Sequence, residues 1–113
     1  MNAMTLLLLT LLLKEHAMSA YAIGQLTIHN RDWMPEYTQK IGPLFEKHGA
    51  KIIAKSTPES LEGDAALPNI SLIIEFPSTE AAKAWYGDPE NQKLVALRQT
   101  GSDFNLQLIE SAD

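Results

Sequence analysis

The stretch Asn69-Ile-Ser-Leu-Ile-Ile-Glu-Phe-Pro-Ser-Thr-Glu-Ala-Ala-Lys-Ala-Trp-Tyr-Gly-Asp-Pro-Glu90 decides the fold. Its first half is an apolar, β-branched run that stops at Pro77, a residue without the N–H that a central ladder requires. Ser78 then offers a helix N-cap, and Glu80 falls in the first turn, where the helix dipole favours negative charge. Trp85 and Tyr86 close that helix and Gly87 marks its stop. Asp88-Pro89 restarts a second helical segment with a cap and a first-turn proline. Strand, stop and broken helix form one structural unit.

Upstream of this unit, Tyr21 to Ile28 reads as a strand with Ala22, Gly24, Leu26 and Ile28 on its core face. Gly24 there predicts close approach of a helix to the sheet. His29 to Asp32 is a polar turn with Asn30 or Asp32 as cap. Trp33, Tyr37, Ile41, Leu44, Phe45 and His48 follow at helical spacing, and Pro43 inside that pattern predicts a kink near Gly42-Pro43. Gly49 ends the helix and Ala50 to Ser56 forms a second strand. Thr57 to Pro68 contains two prolines, a glycine and three acids, the composition of an irregular hairpin loop. Downstream, Pro89 to Thr100 completes the broken helix and Phe104 to Glu110 is the last strand. The order β-α-β-β-α-β predicts an α+β, ferredoxin-like fold: a four-stranded antiparallel sheet with its helices on one face.

A chain of 113 residues accommodates one domain, and its 45% hydrophobic and 20% charged residues are the proportions of an ordinary globular protein. It has no cysteine, which removes disulfides, thiolate catalysis and thiolate metal sites together. A net charge of −5, with no two Lys or Arg residues adjacent, gives no footprint for nucleic acid.

Residues 1–17 form a leucine-rich extension, expected as a helix, ahead of a ferredoxin-like domain over 18–113. The run Leu6 to Leu13 is shorter than the ~20 apolar residues a bilayer span takes, and it lacks the cationic start of a secretory signal. A cytoplasmic protein without a membrane partner is therefore expected. A leucine helix with no polar face needs burial, so this segment is expected to pack on another copy, building a higher oligomer on the dimer argued next. The other reading is an upstream extension, since Met18 is a natural start for the domain.

Opposite the helix-facing residues, the strands present Tyr21, Ile23, Gln25 and Thr27; Lys51, Ile53 and Lys55; Ser71, Ile73 and Glu75; and Asn105, Gln107 and Ile109. One isoleucine per strand among polar neighbours suits neither a wet face nor a dry inter-sheet core. The expected cover is the same sheet of a second subunit, a homodimer enclosing a partly polar cavity.

Several segments, Ala20-Tyr21-Ala22-Ile23-Gly24, Leu61-Glu62-Gly63, Ile74-Glu75-Phe76-Pro77-Ser78, Ala84-Trp85-Tyr86, Pro89-Glu90 and Leu97-Arg98, occur in an order and spacing that resemble the small bacterial DUF1330 family, a domain of unknown function. The resemblance covers Met18 to Glu110 and implies a ferredoxin-like fold of the dimeric α+β barrel group, in which two sheets face each other. It transfers no catalytic residue. The sequence departs from the family pattern at Asn91, where an aromatic residue is common.

Glu75 is the candidate acid/base, inward on the third strand of such a barrel; the competing role is an ion pair with Lys51, Lys55 or Arg98. Arg98 could orient a ligand carboxylate through its fork of donors, or cap its helix. Tyr37 and Tyr86 are candidate pocket residues, since each hydroxyl needs a partner if buried. Gln25 and Asn105 supply ligand-binding polar groups on the enclosed face. Trp85 is expected in the core. His16, His29 and His48 lie on three separate elements without metal-ligand spacing, so no metal is expected, and His48 suits a helix C-terminus. No phosphate loop or paired nucleophile occurs, and no cofactor is expected.

The functional expectation is a cytoplasmic homodimer that binds a small, partly aromatic or carboxylate-bearing molecule between sheet and partner. Two alternatives stand beside it. One is a cofactor-independent enzyme, monooxygenase- or isomerase-like by analogy with the barrel group, using Glu75. The other is a structural oligomer only.

Overall fold

The computed structural model describes residues 19–112; the leucine-rich extension expected over 1–17 lies outside them. In chain order the elements are β1 (Ala20–Ile28), α1 (Met34–Lys47), β2 (Lys51–Ser56), β3 (Ile70–Phe76), α2 (Thr79–Gly87), α3 (Pro89–Gln99) and β4 (Ser102–Glu110). The strands form one antiparallel sheet in the order β2-β3-β1-β4. This is the ferredoxin-like α+β architecture, with its second helix broken where Asp88-Pro89 interrupts it.

Local chemistry sets the helix starts. Ser78 is extended, and its hydroxyl accepts from Ala81 N at 3.0 Å. Asp88 follows α2 and caps α3, accepting from Glu90 N at 3.0 Å. Helix α1 begins differently. Its N-cap residue is Trp33, without a side-chain cap, while Asn30 Oδ1 accepts from Asp32 N at 3.1 Å and Trp33 Nε1 donates to Asn30 O at 2.8 Å. Asn30 and Asp32 thus build the turn instead of capping the helix. The helix runs through Pro43 to Lys47, and the exposed position of Pro43 leaves the carbonyl it frees open to water. Gly49, at φ 70°, makes the left-handed exit.

The core lies between the helices and one face of the sheet: Ala22, Ile74 and Phe76 from strands, Ile41 and Leu44 from α1, Ala82 and Trp85 from α2, and Leu94 from α3. Phe76 is fully buried, worth about 1.5–3 kcal/mol on hydrophobic grounds. Trp85 takes the expected core position, its ring 5.4 Å from that of Phe76 and 5.7 Å from that of Phe45.

Two expectations from strand alternation are corrected. Lys51 pairs with Glu75, but the register shifts between Ile52 and Ala54, so Ala54 pairs with Ile73 and Lys55 with Leu72. Ile53 is the extra residue of a β-bulge, and the bulge turns Lys55 from the outer face to the helix side. At Gly24 the close approach is made by a side chain of β4, not by a helix. A Cβ there would meet Phe104 Cζ at 2.6 Å.

On the outer face β1, β3 and β4 keep the register read from the sequence, while on β2 the bulge brings Ala54 opposite Ile73 and removes Lys55. Ile23 is in register with Ile73 on one side and Gln107 on the other, and Gln25 stands between Ser71 and Asn105. No helix among the described residues is long and apolar enough to cross a membrane.

Candidate functional site

Helix α3 buries Asn91, Leu94, Val95 and Arg98, the i, i+3, i+4, i+7 stripe of a core-facing helix, yet both ends of that stripe are polar. Tyr37, Ile41 and Phe45 on α1 also turn towards the sheet. Between these stripes and the sheet lies a cavity of about 230 Å³, floored by Leu26, Leu72, Ile74 and Phe104.

Arg98 lies at this cavity, only 6% exposed. Its guanidinium carbon sits 4.3 Å from the centroid of the Phe104 ring, a cation–π contact. No carboxylate pairs with it among the described residues, and its Nε is buried without a hydrogen-bond partner. Burying a charge with no counter-charge beside it costs free energy. Among the described residues Arg98 fills neither the ion-pair role nor a side-chain cap of its helix.

Other polar groups share the wall. Burial pushes the Tyr37 hydroxyl above the ordinary phenol pKa, while the charge and donors of Arg98 pull against that shift. The Trp85 indole N–H is also buried and has no hydrogen-bond partner among the described residues. Lys55, exposed and delivered by the β-bulge, adds a second cation at the rim, and among the described residues no Asp or Glu lines the cavity. A cavity with two cations and no acid stands out in a chain whose net charge is −5.

The sequence candidates divide among three places. Tyr37 and Arg98 meet at the cavity. Tyr86, 44% exposed, borders an open groove of about 580 Å³ at the β4 edge together with Arg98 and Asn105. Gln25 and Glu75 stand on the far side of the sheet, Glu75 opposite Tyr21 and Lys51, with no ion pair among the described residues. Sequence reasoning missed Asn91, Lys55 and Phe104. The helical spacing of Asn91 from Leu94 and Arg98 carried the signal for the first; the bulge hid the second.

A separate cluster holds the frame. Asp88 accepts from Lys47 Nζ and His48 Nε2, both at 2.8 Å, joining the C-terminus of α1 to the junction of α2 and α3. Those donors, with Glu90 N, hold the Asp88 carboxyl well below the usual carboxylate range. His48 therefore has a structural partner. His29 binds Asp103 at 2.7 Å on the exposed surface, and His16 lies outside the described residues.

Among curated proteins none matches the chain. Solved structures do. A protein of unknown function from Rhodopseudomonas palustris, RPA0582, is 18% identical with a TM-score of 0.71, over 92% of this chain and 93% of that one. SnoaB, a cofactor-independent oxygenase from Streptomyces nogalater, is 11% identical with a TM-score of 0.59, over 86% and 96%. A dimeric, ferredoxin-like protein of unknown function from Bacteroides fragilis is 16% identical with a TM-score of 0.52, over 81% and 95%. At these identities the likeness is one of fold. Residues 19–112 match the model of the domain of unknown function DUF1330, and the chain belongs to that family.

Proposed function

We propose that this protein binds a small, single-ring organic carboxylate in the cavity between its helices and sheet, with Arg98 as the carboxylate partner and Tyr37 as a further donor. One observation carries the reading: Arg98 is buried at an apolar cavity without any acidic partner among the described residues. A bidentate carboxylate would supply the missing counter-charge, and the aromatic walls suit a planar body. Lys55 adds attraction for an anion. The cavity lies on the opposite side of the sheet from Gln25 and Glu75, so those two residues would serve the outer face and not this ligand.

The outer face would be covered by a second copy of the chain. Half-buried Ile23 and Ile73, in register at the centre of that face, support this, as does the dimeric state of the Bacteroides fragilis protein with the same fold. The enzyme reading would place Glu75 as acid/base between the two subunits. It draws on the oxygenase SnoaB at the level of fold only. The Arg98 cavity favours binding over that alternative.

Isothermal titration tests the proposal with a panel of single-ring carboxylates and their primary amides. Carboxylates are expected to bind, the neutral amides at least about tenfold more weakly, and Arg98→Gln is expected to abolish the difference. Amides that bind as well as the acids would overturn it.

A further inference from the structure

We infer that the ligand carries a hydroxyl donor at the end opposite its carboxylate and that Asn91 receives it, an inference that rests on the carboxylate reading above. Asn91 is 1% exposed and ranks with Phe76 and Ile74 among the most completely buried large side chains. An amide buried so deeply is normally held by hydrogen bonds at both its donor and acceptor ends. Among the described residues its side chain makes one, from Nδ2 to Tyr86 O at 3.3 Å. Gln92 Nε2 already donates to the same carbonyl at 2.6 Å, so the end of α2 is satisfied without Asn91. Asn91 lines the cavity, and with Nδ2 turned to Tyr86 O, the group it has left to offer a ligand there is the acceptor Oδ1.

Arg98, Lys55 and the Trp85 indole on the same wall can only donate, and the Tyr37 and Thr38 hydroxyls can donate or accept, so Oδ1 is the one side-chain oxygen or nitrogen among these that can only accept. A ligand made of acceptors alone would seal Oδ1 from water and leave it unpaired, which weakens binding. A hydroxyl on the ligand removes that conflict.

Distance and volume limit the class further. Asn91 and Arg98 stand two turns apart on one helix, roughly 10 Å along its axis. The cavity, at about 230 Å³, falls below the ~300 Å³ lower end of ordinary ligand sites. One ring, with a short arm to the carboxylate and a hydroxyl on the far side, meets both limits: a hydroxyaryl carboxylic acid.

The test is calorimetric titration of the full chain with 4-hydroxyphenylacetate, phenylacetate and 4-fluorophenylacetate, the last filling the hydroxyl's place without a donor. The hydroxyl compound is expected to bind about fivefold or more tightly than either of the others. Asn91→Leu is expected to erase that preference. Equal affinities in the unaltered protein would overturn this inference and leave the carboxylate reading standing. Failure of all three acids to bind would overturn both. A preference that survives in Asn91→Leu would overturn the role given to Asn91, and the wild-type comparison holds whether or not that variant folds.

Discussion

Arg98 lies over the ring of Phe104, its guanidinium carbon 4.3 Å from the ring centroid, and Phe104 in turn occupies the space left by the missing side chain of Gly24. Three residues from three elements thus form a stack that fixes the only buried arginine among the described residues at the edge of the cavity. The stack ties Gly24 to the candidate site through Phe104.

Gly24→Ala tests the stack. The added Cβ would meet Phe104 Cζ at 2.6 Å and Leu72 Cγ at 3.3 Å, and the ring cannot yield without moving Arg98. Overpacking of this kind costs about 1–3 kcal/mol. Urea denaturation is expected to show a loss in that range, with carboxylate affinity falling as well.

Arg98→Met separates a ligand site from a structural one. In the ligand-free protein the substitution removes a buried charge that lacks a counter-charge, and methionine fills a similar volume. Stability is expected to rise by about 1–2 kcal/mol in chemical denaturation while carboxylate binding disappears. A structural arginine would give the opposite sign, a clear loss of stability.

Asp88 gives a pH dependence of known sign. Its carboxyl is held below the usual range by Lys47, His48 and Glu90 N, whereas an unfolded aspartate titrates near ~3.9. The unfolded chain therefore binds more protons in the window between the two values, and stability rises with pH there. The Asp88 contribution is fully present above about pH 5 and is lost as pH falls through the folded pKa. The stability advantage of wild type over Asp88→Asn is expected to shrink steadily below about pH 4 in urea titrations. A constant advantage down to the acid limit would contradict the assignment.

Ile73→Lys addresses the outer face. Ile73 pairs with Ile23 near its centre, where a buried ammonium would face its own symmetry mate across a two-fold interface. Light scattering is expected to show a dimer for wild type and a monomer for the variant, with little change in carboxylate affinity because the cavity lies on the other side of the sheet. A wild-type monomer would contradict the dimer proposal.

Element order was legible in the sequence where a boundary had local chemistry: Pro77 and Ser78 at the β3–α2 junction, Asp88 and Pro89 at the helix break, Gly49 after α1. The site was legible only in part. Arg98 and Tyr37 could be singled out by residue type, but alternation treats the two faces of a sheet alike, so it could not say on which side the cavity lies. Period-two reading also placed Lys55 outward. A bulge at Ile53 is an insertion in register, visible only against the partner strand, and one extra residue carries every later side chain to the opposite face. The approach to Gly24 was anticipated, but its partner, Phe104, comes from the other end of the chain, and no local rule pairs residues so distant.

The crystal structure of the protein with a single-ring aromatic carboxylate tests the central claim most directly. The account predicts the ligand between helices and sheet, its carboxylate paired with the Arg98 guanidinium and within reach of the Tyr37 hydroxyl. A ligand seated instead on the outer face beside Gln25 and Glu75, with Arg98 still unpaired, would contradict it.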